Sequence, residues 1–395
     1  MTTATTAHGM DGSLVEPDWP PLLLDEVRTL LRQFPGCAEP IEILSSSPRP
    51  FSAASVVSTR GGRVFVKRHA RAVRDHKGLL EEHRFLRHLW AQGAAVPCVL
   101  ATFSGETAIE DGDWTYEVHE TPEGIDAYED AISWTPFRSV GHAGAAGKAL
   151  ARLHDAARGF AAPGRTVRPL VAGFTIFASD DPAPAMERYV AARPALAADA
   201  ATRRACDAAL DLLAPFHAEL LPHLPALAPL WTHNDLHPSN LFWSDSSEDA
   251  QATAIIDFGL ANRTNAVHDL AIAIERSIVE WLVLVNDPSH PDDVPVHFDH
   301  LEALLNGYEQ VRPLSEGEAL ALAPMTALCH AEFALTEADY FLGVLHAPEK
   351  VPMATDGYLV GHAQWFASAR GHSLLDALRQ WAEARGNGVR KADRP

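Results

Sequence analysis

The sequence predicts an α+β protein of two lobes: an antiparallel-sheet N-terminal lobe with one long helix, and a mainly helical C-terminal lobe. Three observations carry this reading. Short runs of strand character cluster before residue 120. One long segment with apolar residues at helical spacing interrupts them. Beyond residue 121 the spacing is helical almost throughout, with breaks at prolines. A chain of 395 residues suits such a division, at roughly 150 residues per domain.

The elements follow in order. Residues 1–20 begin without the basic region and apolar core of a signal peptide and read as a disordered tail. The N-terminal lobe, 21–120, opens with a helix over 21–34. Segments 41–44, 52–59 and 63–67 read as short strands, the last two joined by a hairpin at Gly61-Gly62. Residues 72–92 form the long helix. Its buried face is Leu79, Leu80, Phe85, Leu86 and Leu89, and Gly93 ends it. Segments 96–103 and 114–119 look like further strands, with a turn at Asp111-Gly112-Asp113.

The C-terminal lobe, 121–385, begins with an acidic connector over 121–135 and a helix over 139–154. Residues 160–193, rich in Ala, Pro and Gly, read as an irregular insertion. Residues 194–224 read as helix broken near Pro215, and 244–250 as the polar turn of a hairpin. The remainder is helical, and 386–395 reads as a loose tail. There is no internal repeat.

Composition excludes several classes. No apolar run reaches the roughly 18 residues of a membrane span. The two candidates, 278–285 and 321–328, are interrupted by Glu280 and Pro324. Cys37, Cys98, Cys206 and Cys329 show no paired spacing, which argues against both a disulfide framework and a zinc site. A cytoplasmic location is expected. The net charge of −20 would repel nucleic-acid phosphates. It is compatible with a cationic small-molecule partner such as an amine, though a solvated acidic surface is the simpler reading.

The chemistry is concentrated in His233-Asn234-Asp235-Leu236-His237-Pro238-Ser239-Asn240 and in Ile256-Asp257-Phe258-Gly259, which ends an apolar strand. Phosphoryl transfer from ATP needs such a set. One Asp orients the attacking hydroxyl, and an Asn and a second Asp hold magnesium on the phosphates. Asp235 is therefore the expected catalytic residue. Asn240 and Asp257 are the expected Mg2+ ligands, because magnesium demands oxygen donors. His237 could touch substrate or phosphate, or hold the loop.

These motifs resemble those of the kinase-like small-molecule phosphotransferases, a group that includes aminoglycoside phosphotransferases, choline kinases and homoserine kinases. The resemblance runs from about Glu42 to Glu280. It is weaker to the protein kinases, which usually carry a Lys where His237 stands and close an activation segment with Ala-Pro-Glu. Here Asp257-Phe258-Gly259 passes almost directly into Asp269-Leu270-Ala271-Ile272. The resemblance implies a two-lobed protein-kinase-like fold and an ATP- and Mg2+-dependent transfer to a hydroxyl of a small acceptor.

It also implies further site residues. Lys67, ending the strand Val64-Phe65-Val66-Lys67, resembles the lysine that holds the α- and β-phosphates. Glu81 and Glu82 both qualify as its partner, and Glu82 matches the family spacing to Leu86. The phosphate-covering loop, Arg49-Pro50-Phe51-Ser52-Ala53-Ala54-Ser55, lacks the expected glycines but offers Ser52 and Ser55. The adenine is expected near Glu117, Val118 and His119, by position alone. His233 is expected to brace the catalytic loop. Asp269 reads as a helix N-cap, or as the family's support for that loop.

On the C-terminal helices Glu332, Thr336 and Asp339 share one stripe. Facing the cleft, Glu332 and Asp339 would suit an ammonium group on the substrate; the stripe could equally face water. Gly141 to Ala149 imitates a phosphate loop, but with the wrong spacing and Ala149 in place of Ser or Thr, so it reads as close helix packing. The acceptors open to this reading are an aminoglycoside or amino sugar, a choline-like alcohol, or a hydroxy amino acid. The Leu150-Ala151-Arg152-Leu153-His154 string leans toward the homoserine and choline kinases. The alternative is a catalytically silent nucleotide-binding protein of the same fold.

Overall fold

The computed structural model describes residues 7–8, 14–37, 39–47 and 50–392. Strands β1 (Ala7–His8) and β2 (Leu14–Val15) form a two-residue ladder. The helix α1 (Leu24–Leu31) precedes a five-stranded antiparallel sheet. Its strands are β3 (Pro40–Ser46), β4 (Ala53–Thr59), β5 (Gly62–Ala70), β6 (Ala108–Asp111) and β7 (Trp114–Glu120), in the spatial order β3-β4-β5-β7-β6. The β4–β5 hairpin turns where Gly62 takes φ +128°, a value open to glycine.

Strand alternation sorts the lobe. Val57 on β4, Val64 and Val66 on β5, and Tyr116 and Val118 on β7 pack against Val27, Leu30, Leu31 and Phe34 of the α1 region. Side chains of opposite parity face the other way. In the β5–β7 register Lys67 lies beside Glu117 and Phe65 beside His119. The helix α2 (His76–Ala91) covers that second face; Asp75 caps it by accepting from Gly78 N at 2.7 Å, and Gly93 leaves it at φ +77°.

The expected strand over 96–103 is reduced to one bridge, Val99 with His119. Pro97 removes a ladder donor there. The strand that precedes the Gly112 turn is β6 instead.

The second lobe is helical: α3 (Val140–Ala157), α4 (Pro182–Ala191), α5 (Pro194–Ala198), α6 (Ala200–Leu220), α7 (Ala266–Ile278), α8 (Trp281–Asn286), α9 (Phe298–Glu309), α10 (Glu316–Leu328), α11 (Ala331–Gly343), α12 (Gly361–Phe366) and α13 (Ala369–Ala392). Between α6 and α7 lie two small antiparallel pairs. One joins β8 (Pro229–Thr232) to β11 (Asn262–Asn265), the other β9 (Leu241–Trp243) to β10 (Ala252–Ile255).

Four expectations change. The insertion 160–193 contains the helix α4. Pro215 does not break α6; it sits on an exposed face, where the unmatched carbonyl meets water. The final residues continue α13 to Ala392, so 386–392 is helix and 393–395 lies outside the described residues. The N-terminal tail is packed at its end: Asp18 accepts from Tyr340 Oη at 3.0 Å and Lys350 Nζ at 2.6 Å, and Trp19 Nε1 donates to Tyr340 Oη. Residues 1–6 and 9–13 lie outside the described residues.

The glycines of α3 pack as expected. A Cβ on Gly147 would sit 2.0 Å from the carbonyl of Leu304 on α9, and one on Gly307 would sit 2.1 Å from that of Gly144. The stretch Glu316–Gly343 is long and apolar enough for a membrane span by length and composition, and 94% of its most apolar window is buried inside the protein. It forms the centre of the helical lobe.

Candidate active site

The loop between β8 and β9 is held from below by Asp269. Its carboxylate accepts from His233 N at 2.9 Å, Asn234 N at 2.7 Å and His154 Nε2 at 2.9 Å. Burial would raise its pKa, but His154 and these backbone donors hold it below the ordinary carboxylate range. The N-cap of α7 is Asn265, not Asp269, which takes the supporting role. His154, from the Leu-Ala-Arg-Leu-His string, also bonds Tyr308 Oη at 2.7 Å.

His233 braces the loop: Nε2 donates to Ile256 O at 2.8 Å, and Nδ1 accepts from Asp235 N at 3.2 Å. Asn234 adopts φ +62°, a left-handed turn that aims Asp235 into the cleft.

Asp235 and Asp257 are held by different cations. Asp235 Oδ1 lies 3.0 Å from Arg276 Nη1, and Asn240 Nδ2 donates to its Oδ2 at 3.2 Å and its backbone O at 2.8 Å. Burial pushes the Asp235 pKa above its ordinary value, against the pull of Arg276 and His233. Asp257, at φ +59°, accepts from Lys67 Nζ at 2.9 Å. Burial alone would raise its pKa, but Lys67 holds it well below the ordinary range.

The Lys67–Glu82 pair expected from the sequence is replaced by Lys67–Asp257. Glu82 Oε2 instead faces Arg165 Nη1 at 3.6 Å. Arg165 in turn donates to Gly259 O and to Gly78 O, each at 3.0 Å, and so ties α2 to the loop after Asp257.

Two cavities meet at this centre. The larger, about 520 Å³, is lined by Ser52, Lys67, Glu82, Glu117, His119, Asn240 and Asp257, and it extends past Glu120, Thr121 and Pro122. The smaller, about 120 Å³, is lined by Asp235, His237, Arg276, Glu337, Trp134 and Phe333. Ser52, Lys67, Asn240 and Asp257 line both. Arg49 lies outside the described residues.

Four expected residues do not reach the cleft. Val118 has core parity, and its carbonyl is taken by Leu100 N at 2.8 Å. Ser55 is likewise on the wrong face, with Oγ bonded to Ser46 Oγ at 3.0 Å. Glu332 accepts from Thr175 N, Thr175 Oγ1 at 3.1 Å and Ile176 N at 2.7 Å, anchoring the 175–176 backbone. Asp339 faces Arg193 at 3.9 Å. Thr336 of the same stripe is fully buried.

The residues missed are Arg276, Glu337, Trp134 and Phe333. The Arg276 guanidinium stacks 4.3 Å from the Phe333 ring and 4.8 Å from that of Trp134. Its Nε and Nη2, and Glu337 Oε2, are buried without a protein hydrogen-bond partner. Burial pushes the Glu337 carboxyl up to about 8. Glu337 was one position off the chosen stripe, and α11 is buried on nearly all sides, so no polar face set its phase.

A kinase-like fold whose cleft carries these acidic and amide groups is that of a small-molecule phosphotransferase. The chain belongs to the phosphotransferase enzyme family, whose pattern matches residues 51–314. It is similar to the homoserine kinase of Rhodospirillum rubrum, 29% identical over 260 residues that cover 64% of this chain and 66% of that protein. The match thus spans slightly less than two thirds of that relative's length.

Among solved structures it resembles an aminoglycoside phosphotransferase from Alicyclobacillus acidocaldarius. The TM-score is 0.52 at 20% identity, with 93% of this chain and 98% of that one covered. It also resembles an amicoumacin kinase in complex with AMP-PNP, Ca2+ and Ami, with TM-score 0.52, 14% identity, and 92% and 94% covered. At such identities these two likenesses speak to the fold alone.

Proposed function

We propose that the protein is an ATP- and Mg2+-dependent kinase that moves the γ-phosphate to a hydroxyl of a small, amine-bearing acceptor. The observation that carries this is the junction of the two cavities at Lys67, Asn240 and Asp257, with Asp235 on the smaller side. The larger cavity would hold the nucleotide, with adenine toward Glu117 and His119 and onward to Glu120–Pro122. Ser52 and Lys67 would meet the phosphates. Glu82 acts at a distance, through Arg165 and the order of α2.

The donor set fits magnesium. Asp257 is kept ionised, and Asn240 spends Nδ2 on Asp235, which leaves Oδ1 as its ligand atom. When bound, the ion would neutralise charge on the phosphates. Asp235 accepts the hydroxyl proton and aims the oxygen, and Arg276 fixes its carboxylate.

Within this reading we favour a hydroxy amino acid over an aminoglycoside or a choline-like alcohol. The smaller cavity, about 120 Å³, is below the roughly 300 Å³ at which drug-sized pockets begin. Arg276 lines this cavity as a cation for a carboxylate, and Glu337 as a carboxyl that a substrate ammonium would draw into its ionised form. The homoserine kinase relative supports the same choice. His237 lines this cavity and would contact the acceptor.

The test is ATP consumption with magnesium across homoserine, hydroxylysine, choline, ethanolamine, amino sugars and aminoglycosides, with Asp235→Asn in parallel. Turnover on hydroxy amino acids, reduced about 10²–10⁴-fold in the variant, is the expected result. Turnover on aminoglycosides alone would overturn the acceptor assignment. ATP binding without turnover on any acceptor would favour a silent nucleotide-binding protein.

A further inference from the structure

The larger cavity ends in a cluster that takes no part in the transfer step itself, although Glu117 and His119 also face the proposed adenine site. Strand alternation puts His69 of β5 and Glu117 and His119 of β7 on the face covered by α2, and α2 presents His83 to them. All four are more than nine-tenths buried. Their Nε2 atoms converge on one carboxylate: His69 on Glu117 Oε1 at 2.9 Å, His83 on Oε2 at 2.8 Å, and His119 on Oε2 at 2.9 Å. Three imidazoles around one buried carboxylate, drawn from a helix and two strands, exceed what packing requires, since every such group costs desolvation.

We propose that His83, His119 and Glu117 form a binding site for a transition-metal cation of the zinc class, clasping α2 to the sheet, with His69 holding the other carboxylate oxygen of Glu117. The donor types are those of zinc, two imidazole nitrogens and one carboxylate oxygen, with water for the remaining position. The donor atoms of His83, Glu117 and His119 lie within 4.8 Å of one another. Zinc bonds of about 2.0–2.2 Å imply tetrahedral edges near 3.3 Å, so His83 and His119 would each retreat by roughly half an ångström from their present contacts with Glu117. His83 Nδ1 lies 3.0 Å from Thr107 Oγ1, a hydroxyl that can accept its proton and leave Nε2 as a lone pair aimed inward. Glu117 and His119 line the open cavity, which supplies the entry path.

The site shares no residue with Asn240 and Asp257, whose oxygen donors suit magnesium. Its consequence is mechanical and electrostatic. It ties the helix that carries Glu82 to β7, the strand paired with that of Lys67. It also draws onto the metal the charge of Glu117, one of the carboxylates that surround Lys67.

The test uses the whole protein saturated with magnesium. Titration with Co2+ is expected to give one equivalent bound with the visible bands of a tetrahedral ion. X-ray absorption of the Zn2+-loaded protein should show scattering from two imidazoles, and the unfolding midpoint should rise on loading. These signals should vanish in His83→Gln and persist in His297→Gln, which alters a second grouping, His297, Asp299 and His300, on the rim of the helical lobe. No bound equivalent, signals that survive His83→Gln, or signals lost in His297→Gln would each overturn the site. Should His83→Gln not fold, the wild-type absorption spectrum decides alone: a shell without multiple imidazoles excludes the clasp.

Discussion

Asp235 sits between two opposed influences, burial that raises its pKa and Arg276 that lowers it. In the proposed role it must be ionised to accept the hydroxyl proton, so activity is expected to fall on the acid side of its pKa. Removing the guanidinium charge leaves burial opposed only by the smaller pulls of His233 and the Asn240 hydrogen bond. In Arg276→Gln we therefore expect the acidic limb of the kcat–pH profile to move upward by about 1–3 pH units, the usual effect of a neighbouring Arg on an Asp. The KM for a carboxylate-bearing acceptor should rise in the same variant. An unmoved limb would show that Arg276 does not govern Asp235. Asp235, Asn240 and Asp257 were legible as candidates because their pattern is local: one loop and one strand end carry it. Arg276 was not, because a single arginine on a helix looks like surface until its tertiary partners are known.

At the scale of elements, α3 is both a packing helix and the carrier of His154, which holds Asp269 beneath the catalytic loop. A Cβ at Gly147 would meet the Leu304 carbonyl at 2.0 Å, whereas one at Gly144 would find its nearest atom at 3.6 Å. Gly147→Ala should therefore destabilise by roughly 1–3 kcal/mol, as overpacking does, and lower kcat by shifting His154. Gly144→Ala should be near neutral. Urea unfolding of the two variants reads the difference directly, and equal effects would contradict the packing. The phosphate-loop imitation in this helix was dismissible from spacing alone. The partner that makes its glycines necessary, α9, was not nameable without the fold.

Across the whole molecule, the helical lobe encloses carboxyls that titrate near neutrality. Burial raises Glu337 from 4.5 to about 8 and Glu275 to about 7. The folded state thus binds these protons more tightly than the unfolded chain. Their contribution to stability is complete below pH 4.5 and is lost as pH rises through the folded values. Glu337→Gln keeps the shape without the charge. Its unfolding free energy should decline less than that of the wild type up to about pH 8, with Glu275 leaving a residual slope. Parallel declines in both proteins, measured by urea unfolding across that range, would remove Glu337 from the account.

What the sequence determined by itself was whatever repeats or clusters along the chain. The period-two runs gave the sheet, the 3.6-period stripe gave α2, and two short motifs gave the candidate phosphoryl-transfer residues, with Lys67 at its strand end. What only the tertiary structure decided was which faces meet. The β5–β7 register set Glu117 and His119 toward α2 and turned Val118 into the core. The phase of α11, buried on nearly all sides, brought Glu337 rather than Glu332 or Asp339 to Asp235. Register and helix phase depend on partners distant in sequence, and a side chain's face is fixed only when those partners are in place.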